Sequence, residues 1–204
     1  PPQNFPHHQL RELYLKLADT CRFSEYRQLG ENQGAQLSEG KNRQLMVGPD
    51  RFTFKDDFTR SLFSTFVEDV DMILKALKET FQIPVFIHNK ILIRLLMPYQ
   101  STQNTVEYFQ KTLLNNAVPH MSAFERPLSG VGLKMVFPPT KDHHSTYHIR
   151  VEPYLRDLKM FFLENNAQFF DPVVNYADIK NYMEAAYDFL KEKTGPFVLN
   201  LSPP

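Results

Sequence analysis

The chain has 204 residues, enough for one large domain or two small ones. Lys plus Arg and Asp plus Glu number 23 each, a balance that argues against a generic nucleic-acid binder, which carries a basic excess. The single cysteine, Cys21, excludes an intrachain disulfide, so nothing points to an oxidising compartment.

Leu10, Leu13, Tyr14 and Leu17 recur at helical spacing up to Cys21, which predicts a short amphipathic helix and a buried, structural thiol. From Phe23 to Lys55 the turn-rich stretches at Gly30–Gly34, Gly40–Asn42 and Gly48-Pro49-Asp50 alternate with apolar runs. Gln44–Val47 and Arg51–Phe54 are two of the short antiparallel strands expected there. Phe58, Leu62, Phe66, Val70, Ile73, Leu74, Leu77 and Phe81 fall at steps of three and four, predicting a long helix over 58–81. That stripe should face a core, with Glu68, Asp69, Asp71, Lys75, Lys78 and Glu79 on the other side.

Pro84–Met97 reads as a strand interrupted near Asn89-Lys90. A shorter helix follows, carrying Val106, Phe109, Leu113 and Leu114, with Thr105 as its expected N-cap. Val131, Leu133, Met135 and Phe137 alternate with Gly132, Lys134 and Val136, and Tyr147, Ile149 and Val151 alternate with His148, Arg150 and Glu152. These are two strands joined by a polar hairpin loop over 138–145. Met160–Phe170 is a further strand, and Asp178–Thr194 is a final helix that Gly195-Pro196 should stop. The expected fold is a single α+β domain over 1–204: a curved, mainly antiparallel sheet with long amphipathic helices packed on one face.

No apolar run reaches the roughly 18 residues that span a bilayer, and no signal-peptide pattern is present. A cytoplasmic setting with no membrane partner is therefore expected. The chain opens on Pro1 rather than Met, so a native start further upstream is expected.

His143, His144 and His148, beside Asp142, are the densest set of metal-capable side chains. On a strand, the four-residue step from His144 to His148 separates them by roughly 13 Å, so no metal site is expected. Glu152, Asp157, Glu164 and Asp171 offer carboxylates for acid–base work without a spacing that marks a pair. Ser129-Gly130-Val131-Gly132 lacks the Gly-Lys-Ser/Thr end of a phosphate loop; its glycines suit a close backbone approach at a strand start. No cofactor is expected.

Strand alternation supplies the one sharp constellation. If the odd positions 131–135 and 147–151 face the helices, Lys134, His148 and Arg150 share the opposite face, and Arg94 is out of phase with its core neighbours too. Arg94, Lys134, His148 and Arg150 are thus the candidate ligand-binding residues, a basic patch suited to an anion or to a protein. The expected function is a non-catalytic binding or protein-interaction module. The alternative is an enzyme, a hydrolase or transferase, with its site between the sheet and a helix. The expected partner is an unidentified protein or a small anionic ligand, and a homodimer stays open.

Residues 44–54, the long helix and Ile91–Pro98 together resemble a sporadically distributed bacterial family of α+β proteins. In that family a strand pair ending in Asp-x-Phe-x-Phe, here Asp50-Arg51-Phe52-Thr53-Phe54, leads into a long helix and then an Arg-bearing strand that ends near Pro. The resemblance covers about residues 22–200. The chain departs from it in having no Trp in the long helix and no Tyr-x-Asn-Arg after Arg94. The resemblance implies an order of elements and a bacterial origin, and no activity.

Overall fold

The structure, a computed structural model, describes residues 5–30, 33–57, 59, 61–114 and 123–201. It is α+β with antiparallel strands, and the strands are divided between two four-stranded sheets. The chain forms two compact units, residues 1–86 with 173–180, and residues 87–172 with 181–204. Among the described residues no helix is long and apolar enough to cross a membrane.

In the first unit, helix α1 (His7–Ala18) buries Leu10, Leu13 and Leu17, the stripe its spacing dictates. Four short strands follow: β1 (Glu25–Gln28), β2 (Ala35–Glu39), β3 (Arg43–Val47) and β4 (Phe52–Asp56). They pair as an antiparallel meander in the order β1-β2-β3-β4. Gly34 turns the chain into β2 at φ +96°, and a Cβ there would lie 1.8 Å from the Val47 carbonyl oxygen. Replacing Gly34 by Ala is expected to cost more than about 1–2 kcal/mol, since left-handed strain adds to the clash. Urea unfolding of the full chain would measure it, and an unchanged midpoint would refute the tight approach.

Helix α2 (Phe63–Phe81) begins later than the stripe suggested, because Leu62 is extended and 74% exposed; Phe58 lies outside the described residues. Its buried face also differs. Val67, Ile73, Ala76, Leu77 and Phe81 are buried, while Phe66, Val70 and Leu74 are only half-buried. Asp69, expected on the wet side, is buried at 5% exposure. The reason is Arg43 on β3, which lies on the same strand face as Leu45 and Val47 and is 4% exposed. Its guanidinium pairs with Asp56 at 2.8 Å and Asp69 at 2.7 Å, and its Nε donates to the Cys21 carbonyl at 3.0 Å. The rings of Phe23 and Phe54 lie 5.7 and 5.1 Å from its centre. One cation thus draws a carboxylate from β4 and another from α2 into the interior, where neither is stable alone. Helix α2 ends at Gln82, left-handed at φ +53°, whose N–H donates to the Lys78 carbonyl.

In the second unit, β5 is Asn89–Pro98, without the interruption expected at Asn89-Lys90. The break lies before it. Pro84 lacks an N–H and His88 sits at φ +54°, so only an isolated bridge, Phe86 to Val173, forms in 83–88. Helix α3 (Thr105–Leu113) is capped by Asn104 rather than Thr105. The Asn104 side chain accepts from the Glu107 N–H at 2.9 Å, and Glu107 accepts in return from Asn104. The Thr105 hydroxyl is buried and donates to the Leu158 carbonyl instead.

Strands β6 (Leu133–Phe137), β7 (Ser145–Pro153) and β8 (Met160–Phe169) complete the sheet, in the order β5-β8-β7-β6. The close approach expected of the glycines before β6 is present: a Cβ on Gly132 would lie 2.6 Å from the Val151 carbonyl oxygen. Helix α4 (Ala177–Asp188) does not stop at Gly195-Pro196. It opens into one π-turn (Phe189–Thr194) and continues as α5 (Gly195–Leu199), with Pro196 in the first turn where its missing N–H is harmless. Helices α3 and α4 and the π-turn meet the odd-numbered face of the sheet. Phe161 packs on Phe109 at 5.0 Å, Phe169 stacks on Tyr182 at 4.1 Å, and Tyr147 meets Phe189 at 4.6 Å. Asn165 is also buried there, donating from Nδ2 to the Ala186 carbonyl at 2.9 Å, one turn before the helix opens.

Candidate functional site

The second sheet's other face carries every residue that alternation had singled out. Cross-strand register places Arg94 opposite Glu164, Glu164 opposite Arg150, and Arg150 opposite Lys134. One row therefore crosses all four strands. His148 lies in the next row on the same face, opposite Asn166 on β8 and Val136 on β6. On the far side of the charged row stand Leu96, Phe162 and Glu152. Burial alternates along β8 with odd residues buried and even ones half-buried, so this even-numbered face is the wetter one.

Glu164 organises the row. Its Oε2 accepts from Arg94 Nε at 2.7 Å and lies 3.4 Å from Arg150 Nη2. Two like charges that would repel across β8 are thus bridged by one carboxylate. Arg150 also reaches Glu152 at 4.0 Å and lies over the Phe162 ring, 5.1 Å from its centroid. Such a pair is worth about 0.5–1 kcal/mol at an exposed site. Lys134 makes no ion pair or hydrogen bond with a described residue. Lys90, Arg94, Lys134 and Arg150 against Glu152 and Glu164 leave the face two positive charges in excess.

Apolar side chains surround this row. Leu92, Leu96 and Val136 are 45%, 48% and 50% exposed, and Met160 and Phe162 are half-buried. Glu164 as the bridge, and this apolar surround, were not anticipated. Apolar residues at both Phe161 and Phe162 hide the period of β8, so only the register shows which of the two faces water.

The other candidates are not brought together. His144 precedes β7 and its Nδ1 lies 3.3 Å from Asp171 Oδ2, while the hairpin loop is closed by a bond from the Thr140 N–H to the His143 carbonyl. Asp157 accepts from the Lys159 N–H in the β7–β8 turn. Among the described residues no three His, Cys, Asp or Glu side chains group closely enough to hold a metal. Cys21 is fully buried with its Sγ 4.0 Å from the Asp69 carbonyl oxygen, and burial pushes the thiol's pKa up, which disfavours the nucleophilic thiolate. A cavity of about 220 Å³ in the first unit is lined by residues that include Leu29, Gln33, Met46, Asp50, Arg51 and Thr53; its carboxylate, Asp50, is exposed and paired with Arg51 at 3.2 Å.

No protein-family model, no curated protein and no solved structure matches the chain.

Proposed function

We propose that the chain is a non-catalytic protein-interaction module, and that the even-numbered face of sheet β5-β8-β7-β6 binds a partner protein through an apolar surface bearing carboxylates. The observation that carries this reading is the exposure of Leu92, Leu96 and Val136 around an Arg94–Glu164–Arg150–Lys134 row with a net positive excess. Apolar side chains exposed around an ordered charge array suit a macromolecular contact. Two surplus cations favour an acidic partner surface and disfavour face-to-face stacking of two copies. A small anion finds less here, because Glu164 already occupies the space between the two arginines. A site between the sheet and its helices has little support, since Phe109, Phe161, Leu163, Ile149, Leu190 and Val198 fill that space and are all within 1% of full burial. The reading includes a cytoplasmic setting, supported by the lone cysteine, and kinship with the resembling bacterial family, supported by the succession of β3–β4, α2 and an Arg-bearing β5.

Panning a random-peptide display library on the full chain tests it. Enriched peptides should combine carboxylates with apolar residues, and the Lys134→Glu, Arg150→Glu variant should bind them at least about tenfold more weakly, the equivalent of 1.4 kcal/mol. A Lys191→Glu control, on the π-turn, should bind as the parent chain does. Peptides without acidic residues, or binding that ignores the double substitution, would refute the reading.

A further inference from the structure

A sheet's edge strands expose one row of unpaired backbone groups, and natural edges are blunted by shortness, charge, proline or bulges. Three of the four edges here follow that rule. β1 is four polar residues, Glu25-Tyr26-Arg27-Gln28; β4 is five residues and ends in Lys55-Asp56; β6 is five residues, preceded by Gly132 and followed by Pro138-Pro139. β5 does not. It runs ten residues, six of them Ile, Leu or Met, and pairs with β8 at all ten positions without a bulge. Its one proline is the last residue, and on its inner side only Ile93 is buried, with Ile91, Leu95 and Met97 half-covered.

We propose that β5 pairs antiparallel with β5 of a second copy about a two-fold axis at Ile93, joining the two sheets into one of eight strands. The strand's own sequence selects this occupant and this register. In an antiparallel pair, directly opposed residues point to the same face, so the axis must fall on a residue. With the axis at Ile93, that residue meets its own equivalent, Ile91 meets Leu95 and Asn89 meets Met97 on the helix side. On the other side Leu92 meets Arg94 and Lys90 meets Leu96. No two like charges are opposed, and the half-covered Ile91, Leu95 and Met97 gain cover. Moving the axis to Arg94 sets two arginines directly opposite each other. Moving it to Leu92 opposes Lys90 with Arg94. Both neighbouring registers are therefore penalised by like-charge pairs, and the pairing is self-complementary at one register. The inference does not depend on the partner-protein reading, which concerns β6 and β7 as much as β5.

Sedimentation equilibrium of the full chain, up to millimolar concentration, should give twice the monomer mass. Register is read by mixing a Lys90→Cys variant with a Leu96→Cys variant under oxidising conditions. Opposed positions stand about 4.5–5.5 Å apart between Cα atoms, within disulfide reach, whereas residue 90 stands roughly 20 Å from its own equivalent. Both side chains are exposed, so folding is retained. A disulfide-linked dimer should form in the mixture and in neither variant alone. A monomer throughout, or a dimer with any other cross-linking pattern, overturns the proposal. Because Lys134→Glu with Arg150→Glu leaves β5 untouched, failure of this test and failure of the partner test are told apart.

Discussion

Replacing Arg43 by Met is expected to lower the stability of the chain by about 3–5 kcal/mol, the range for removing one partner from a buried ion cluster. The side chain is 4% exposed and its two buried carboxylates, Asp56 and Asp69, have side chains 9% and 7% exposed, while a third, Glu39 at 3.8 Å, is half-exposed. Without the guanidinium, two acids from different elements face each other in a space lined by Phe23 and Phe54. Arg22, half-exposed and 3.8 Å from Asp69, replaces the guanidinium only in part, so the acids would have to protonate, repel or draw water inward, and each course weakens the tie between β3, β4 and α2. The Cys21 carbonyl would also lose its donor. Urea unfolding at neutral pH measures the loss. Arg43→Met combined with Asp56→Leu and Asp69→Leu should recover more than half of it, since apolar residues of similar size replace buried ions with little net cost. A loss below about 1 kcal/mol for the single variant would show that the cluster is not buried.

Replacing Phe161 by Ala should cost a comparable amount, about 3–5 kcal/mol, through a different mechanism. Phe161 on β8 has no exposed surface and its ring centroid lies 5.0 to 5.8 Å from those of Phe109, Tyr99 and Tyr108. The Tyr108 hydroxyl in turn lies 2.7 and 2.8 Å from the Val198 and Leu201 carbonyl oxygens, shares its one proton between them, and so anchors the end of α5. Truncation leaves a cavity that a β-strand cannot close by shifting, because β8 is hydrogen-bonded on both sides. The neighbouring Phe162→Ala is the control. It lies on the wetter face and should cost less than half as much, while releasing the Arg150 guanidinium from its ring. Equal losses at the two positions would mean that the two faces of the sheet had been assigned wrongly.

The elements of this chain were legible where a single period acts over a long enough stretch. Leu10, Leu13 and Leu17 specify α1 by themselves, and Tyr147, Ile149 and Val151 specify β7, because a helix or strand that hides one face must repeat apolar residues at its own pitch. The same alternation placed Arg94, Lys134, His148 and Arg150 on one face, since parity along a strand is a local property. Arg43 shares the core face with Leu45 and Val47, but it lies just before the strand read over 44–47, and nothing in β3 alone shows that two carboxylates meet it there. What only the tertiary structure decided is which strand lies beside which. The β5-β8-β7-β6 order joins residues about 70 positions apart, and it alone sets Glu164 between Arg94 and Arg150. Asp69 looked like an ordinary polar residue of an amphipathic helix until β3 brought Arg43 against it. The helix start at Phe63, the π-turn and the Asn104 cap escaped the sequence for a related reason. Each depends on one or two hydrogen bonds or on a neighbour from elsewhere in the chain, and a period averaged over many residues carries no record of either.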